Sequence, residues 1–244
     1  MQKIKIKKIL KKKNKKPIVC LTAYTSNIAR IVDKYCDIIL VGDSLGMVLY
    51  GMKTTRDVKI DTMILHAKAV KNFSKNSLVV FDMPYKTYTN KYEAYKNAKK
   101  VMKLTKCDAV KLEGGSKIGS IVKYLVKKKI PVLGHIGLLP QTSSSFNVKG
   151  KNFIERDKIL KDALEISKSG AFGLIIECVV ETLAKKITRS VSVPTIGIGA
   201  SKYCDGQILV TEDMLGLSGF APKLVKQYAN LNKLLERCIK NYSK

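Results

Sequence analysis

The sequence predicts a (β/α)8 TIM barrel in a single domain, and three features point there. Eight short apolar runs alternate with stretches whose apolar residues recur at helical spacing. Four runs lead into a carboxylate: Asp43, Asp82, Glu113 and Glu177. The 244 residues are 45% hydrophobic, with no linker to split them, enough for one large core. A doubly wound open sheet is the runner-up. It is weakened because no G-x-G-x-x-G follows the first run and no Walker A motif occurs.

Residues 1–16 hold nine Lys and no acid, and are expected as a basic, disordered or loosely helical arm ahead of a barrel over 17–244. A transit peptide is poorly supported, since Arg and Ser are lacking. Residues 17–21 (P-I-V-C-L) read as the first buried strand, followed by a helix using Ile28, Ile31, Val32 and Tyr35. The second strand, I-I-L-V at 38–41, is apolar at every position, as a strand buried on both faces requires. Gly42 lets the chain turn, leaving Asp43 and Ser44 at the carboxyl end. After a glycine-containing loop, Asp61 is the candidate cap of a helix using Ile64, Ala67 and Val70.

The third strand, S-L-V-V-F-D at 77–82, is stopped by Met83 and Pro84. Asn90-x-x-Glu93 forms a capping-box pattern before a helix using Tyr95, Ala98, Val101 and Met102. The fourth strand, 108–113 (D-A-V-K-L-E), carries Lys111 two residues before Glu113. Gly114 and Gly115 then turn the chain, and Ser116 is a candidate cap. The fifth is 130–135 (I-P-V-L-G-H). Residues 141–152 are polar and read as a mobile loop. A helix over 157–169 is stopped by Gly170. The sixth strand spans 171–177, the seventh 193–198 and the eighth 207–210, with Glu212 and Asp213 beyond it. From Lys223 the apolar spacing suits a final helix.

Composition limits the function classes. The net charge of +27, from 46 basic and 19 acidic residues, raises a nucleic-acid partner. The excess is mostly Lys spread along the chain, with little Arg and no Trp, whereas nucleic-acid readers lean on Arg and stacked aromatics. A solvated lysine-rich surface is the simpler reading. The six cysteines include no C-x-x-C pair, so reduced and mostly buried thiols are expected. No apolar run reaches the roughly 20 residues of a membrane helix, and no secretory signal is evident. A soluble cytoplasmic protein without membrane or nucleic-acid partners is expected.

In a barrel the strand ends ring one mouth, where TIM-barrel chemistry sits. Asp43, Asp82, Glu113 and Glu177 would converge there and repel unless a cation intervened. Oxygen donors with few nitrogens suit Mg²⁺, which binds through a few carboxylates, waters and substrate oxygens. Lys111 would face a substrate carboxylate. Each acid alone could equally be a cap or turn residue, and His135 a hydrogen-bonded structural imidazole. Ser44 could cap a turn or donate to a ligand. Gly197-Ile198-Gly199-Ala200 could cradle a phosphate, although close packing explains it better. Cys178, with no His near it in sequence, reads as structural.

Seven blocks then carry a resemblance over about residues 17–223: V-G-D-S-L-G (41–46), F-D-M-P-Y (81–85), V-K-L-E-G-G (110–115), P-V-L-G-H-I-G-L-L-P-Q (131–141), I-E-C-V (176–179), I-G-I-G-A (196–200) and C-D-G-Q-I-L-V (204–210). In order and spacing the chain resembles the ketopantoate hydroxymethyltransferase family. That resemblance implies a (β/α)8 barrel, Mg²⁺, and transfer of a one-carbon unit from 5,10-methylenetetrahydrofolate to 3-methyl-2-oxobutanoate in pantothenate synthesis. It implies Asp43, Asp82 and Glu113 around the metal. Asp43, Ser44, Asp82 and Lys111 would contact the oxoacid, with His135 near the substrate and Glu177 as general base. A homodecamer is also implied. Thr25 stands where many members carry an acid, and the 141–150 loop is shorter, without paired glycines. A Mg²⁺-dependent oxoacid lyase or aldolase of the phosphoenolpyruvate/pyruvate type is the enzymatic alternative.

Overall fold

The computed structural model describes residues 2–143, 145–219 and 222–244; Met1 of the basic arm and Ser144 of the polar loop lie outside the described residues. Eight parallel strands close into a barrel in chain order. They are β1 (Ile18–Thr22), β2 (Ile38–Val41), β3 (Leu78–Asp82), β4 (Ala109–Glu113), β5 (Val132–Gly137), β6 (Gly173–Glu177), β7 (Thr195–Ile198) and β8 (Gly206–Leu209). The helices are α1 (Gln2–Lys12), α2 (Ser26–Val32), α3 (Leu45–Val48), α4 (Ile60–Phe73), α5 (Lys91–Thr105), α6 (Gly119–Lys127), α7 (Phe153–Lys168), α8 (Glu181–Ser190), α9 (Thr211–Met214) and α10 (Leu231–Tyr242). The expected barrel is therefore present, with every predicted strand within two residues of its position.

Strand alternation divides the core in two. Ile39, Val41, Val79, Phe81, Val110, Leu112, Val132, Ile136, Leu174 and Ile176 pack outward against the helices. Ile18, Cys20, Ile38, Leu40, Leu78, Val80, Ala109, Leu133, Ile175, Ile196 and Ile208 form the other cluster, inside the barrel. The same inward parity continues up β3 from Leu78 and Val80 to Asp82. On β4 it runs from Ala109 to Lys111 and Glu113, on β5 from Leu133 to His135, and on β6 from Ile175 to Glu177. The lower interior is thus apolar and the upper layer charged.

The basic arm, expected as disordered or loosely helical, is helical over Gln2–Lys12 and docked rather than loose. Ile9 of α1 is buried in the inner cluster and closes the barrel floor. Its lysines meet acids at the amino ends of the strands: Lys12 reaches Asp37 at 2.6 Å, Lys5 reaches Asp108 at 3.9 Å, and Lys13, just past α1, reaches Asp205 at 3.2 Å. Residues 2–12 therefore belong to the barrel's packing rather than standing ahead of it.

Helix ends follow local chemistry, with some shifts. Asn90 caps α5, accepting from the backbone N–H groups of Tyr92 and Glu93, both at 3.0 Å. Glu93 turns back to Thr89. Thr25 accepts weakly from the N–H of Ile28 at the start of α2. Asp61 lies in the first turn of α4, but Lys59 holds the cap position. α7 starts at Phe153 rather than at 157, because Asn152 accepts from the N–H of Glu155. Ser116 does not cap; its N–H and hydroxyl donate to Asp162. α10 begins at Leu231, later than the spacing from Lys223 suggested, and none of its residues is buried. All six cysteines are free, and only Cys238 is exposed. Among the described residues no helix is long and apolar enough to cross a membrane.

Candidate active site

Barrel register brings the charged residues together. Asp82 pairs with Lys111 across β3 and β4, and Glu113 with His135 across β4 and β5. Period-two alternation puts Lys111 and Glu113 on the same inward face of β4. The Lys111 ammonium donates to both Asp82 oxygens at 2.8 and 2.9 Å and to Glu113 Oε1 at 3.2 Å. All three side chains are buried. His135 stands between two acids, its Nδ1 3.2 Å from Glu113 Oε1 and its Nε2 3.2 Å from Glu177 Oε2. Neither contact has hydrogen-bond alignment, so both are ion contacts. The Glu177 side chain is 18% exposed, which leaves it open to the mouth.

Asp43 follows β2 and is buried on the other side of Asp82, its N–H donating to Asp82 Oδ2 at 3.3 Å. The side chains proposed from the strand ends therefore share one mouth. Ser44 takes the cap position of α3 without a side-chain cap bond; its hydroxyl pairs with the Tyr24 phenol at 2.8 Å.

The charges do not balance. Asp43, Asp82 and Glu113 surround one ammonium. Burial pushes the Asp43 carboxyl well above the usual carboxylate range, and the neighbouring Asp82 adds to the effect. Asp82 is also raised, by burial, despite Lys111 beside it. Burial opposes the charged form of Lys111, yet Asp82, Glu113 and Asp43 outweigh it and hold the ammonium well above its ordinary value. Glu113 goes the other way: against burial, Lys111 and His135 bring it down to about 2. His135, against burial, is raised to about 9, chiefly by Glu113.

Whether these residues suit Mg²⁺ follows from their donors. Among the described residues no three His, Cys, Asp or Glu side chains form a ready-made cage. Mg²⁺ does not need one, since it keeps several waters and takes one or two carboxylates plus substrate oxygens. Asp43 and Asp82 are adjacent oxygen donors whose ionised forms are disfavoured by burial, a cost that a divalent cation would relieve. Glu113 is already engaged by Lys111, His135 and the Gln141 N–H. The set fits a hard cation held mainly from the β2 and β3 ends.

Sequence reasoning missed three neighbours. Gln141 was expected in a mobile loop, but it is buried. Its Nε2 donates to Asp43 Oδ2 at 2.8 Å and to the Met83 carbonyl at 3.0 Å. Tyr88 donates to Gln141 Oε1 at 2.5 Å. Tyr24 is buried behind Ser44, its phenol pushed up by burial and by the charge of Glu212. The last residue of the 131–141 block and the residues just past each strand end were the available signals. The 197–200 stretch behaves as packing: a side chain at Gly197 would meet Cys204, Gln207 and Ser201, and one at Gly199 would meet Leu224.

A family model described as ketopantoate hydroxymethyltransferase matches residues 3–244. The chain belongs to the ketopantoate hydroxymethyltransferase family. A 3-methyl-2-oxobutanoate hydroxymethyltransferase of Pelagibacter ubique (strain HTCC1062) is 51% identical over 240 residues, covering 98% of this chain and 93% of that protein. Its counterpart in Bartonella tribocorum (strain CIP 105476 / IBS 506) is 48% identical over 247 residues, covering 100% and 91%. Solved structures share the fold at low identity. Phosphonopyruvate hydrolase in complex with oxalate and Mg²⁺ gives a TM-score of 0.70 at 8% identity, covering 97% of this chain and 87% of that one. 2,3-Dimethylmalate lyase, a PEP mutase/isocitrate lyase superfamily member, gives 0.67 at 11%, covering 100% and 84%. Such likenesses speak for the barrel alone. Membership of the ketopantoate hydroxymethyltransferase family therefore makes the chain a hydroxymethyltransferase and sets the lyase alternative aside.

Proposed function

We propose that this enzyme transfers a hydroxymethyl group from 5,10-methylenetetrahydrofolate to 3-methyl-2-oxobutanoate, giving 2-dehydropantoate for pantothenate synthesis. The observation that carries the reading is the buried Asp82–Lys111–Glu113 cluster, with Asp43 on one side and His135–Glu177 on the other. Asp43 and Asp82, with Glu113 beside them, would hold Mg²⁺, which when bound supplies Lewis acidity at the oxoacid's oxygens and favours the enolate.

The remaining work falls to the chain's own side chains. Lys111 keeps its positive charge in the buried site and offsets the negative charge of the oxoacid. Ser44 offers a hydroxyl beside Asp43. Glu177 removes the proton from C3 of the oxoacid, and His135 fixes the position of its carboxylate. The nucleophilic C3 takes up the one-carbon unit at the oxidation level of formaldehyde. Glu177 then returns its proton to the new alkoxide oxygen. One water enters overall: its oxygen becomes the hydroxyl, and its hydrogens go to the two folate nitrogens that release the carbon. A homo-oligomer, decameric by resemblance, belongs to the same proposal. The exposed Leu234, Leu235, Ile239 and Tyr242 of α10 support it.

The test is hydrogen–deuterium exchange at C3 of 3-methyl-2-oxobutanoate, with and without Mg²⁺. Exchange should require the metal and fall about 10²–10⁴-fold in Glu177→Gln, the range expected for a general base. Undiminished exchange in that variant would remove Glu177 from the role.

A further inference from the structure

Gln141 is the point where four of the barrel's loops meet. Its Nε2 donates to Asp43 after β2 and to the Met83 carbonyl after β3. Its Oε1 accepts from Tyr88, in the same β3 loop. Its backbone N–H donates to Glu113 Oε2 at the end of β4, at 3.2 Å. Gln141 itself follows β5. Every polar atom of the amide is therefore used, two acceptors facing the nitrogen and one donor facing the oxygen, which fixes the orientation of the amide. A carboxylate at this position would set oxygen against oxygen at both Asp43 and Met83.

Something must also hold the backbone that carries this amide, and Arg56 does so. From the short 3-10 turn Thr55–Asp57, its Nε donates to the Gln141 carbonyl at 3.1 Å. Its terminal nitrogen donates to the Ser143 carbonyl at 2.6 Å. A guanidinium has the fork to grip two carbonyls at once. The chain around Gln141–Ser143 is thus clamped, although its composition is that of a loop. Arg56 itself is exposed and lies outside the charged cluster.

We propose that Gln141 is a positioning residue that orients Asp43 for a divalent cation, and that Arg56 is the latch holding Gln141 in place. The proposal rests on the preceding reading, in which Asp43 and Asp82 receive the cation. Groups that orient metal ligands typically cost about 10–100-fold in metal affinity when removed. Arg56 acts only through Gln141, so its effect should be smaller and should vanish once the amide is gone.

The experiment is calorimetric titration of the metal-free full chain with Mg²⁺ for the wild type, Gln141→Met, Arg56→Met and the double variant. Thermal unfolding of each is measured alongside. Gln141→Met should weaken Mg²⁺ binding by about 10–100-fold, and Arg56→Met by about threefold to tenfold with little change in Tm. The double variant should bind no more weakly than Gln141→Met alone, the non-additivity expected of residues in one chain of contacts. Wild-type affinity in Gln141→Met, or additive losses in the double variant, would overturn the proposal. Should Gln141→Met fail to fold, unchanged affinity in the surface variant Arg56→Met would overturn it. No Mg²⁺ binding by the wild type would instead remove the metal reading, and the proposal with it.

Discussion

Replacing Glu212 by Gln should make the protein's stability less sensitive to pH. Glu212 follows β8 and is buried, and among the described residues its Oε2 has no hydrogen-bond partner. Burial raises its carboxyl from 4.5 to about 7, against the pull of its own backbone N–H and with repulsion from Asp213. The folded chain therefore holds this proton more tightly than the unfolded chain. Between pH 4.5 and 7 the folded carboxyl stays protonated while the unfolded one ionises, so stability falls as pH rises through that window. Each pKa unit is worth about 1.4 kcal/mol, so the whole loss is about 3 kcal/mol by pH 8. Gln mimics the protonated acid and does not titrate. Denaturant unfolding of wild type and Glu212→Gln at pH 4 and pH 8 isolates this group, because other titrations are common to both. The variant's stability relative to wild type should rise by about 3 kcal/mol between those pH values. A constant difference would mean that Glu212 titrates alike in the folded and the unfolded chain.

Two further substitutions probe the floor and the mouth. Asp82→Asn removes a charge that faces Lys111 through both oxygens, and should raise the Mg²⁺ concentration needed for half-maximal C3 exchange by about tenfold or more; an unchanged requirement would argue against Asp82 as a metal ligand. Ile9→Ala empties part of the inner cluster beneath β1 and should cost about 2–4 kcal/mol in denaturant unfolding, whereas a loss under about 0.5 kcal/mol, the scale of ordinary surface changes, would mean that α1 is only loosely docked.

Much of this was legible in the sequence because barrel strands announce themselves twice, by apolar runs and by what ends them. Lys111 and Glu113 stand two apart, so alternation alone put them on one face. The convergence of Asp43, Asp82, Glu113 and Glu177 followed from strand ends sharing one rim. Contacts that depend on how loops fold over that rim were not legible. Gln141 meets Asp43 across 98 positions, and its place at the end of the 131–141 block did not say which strand end its amide would face. Glu212 was visible beside Asp213, but its influence on Tyr24 arises only because β8 closes against β1. The lysines of the arm looked like solvated charge because Asp37, Asp108 and Asp205, which α1 and Lys13 meet at the floor, are spread over most of the chain.

Apolar side chains plug the cylinder from within and Ile9 stoppers its lower end, so the charged rim is reached from one side alone. Whatever reacts at that rim must arrive and depart through a single doorway.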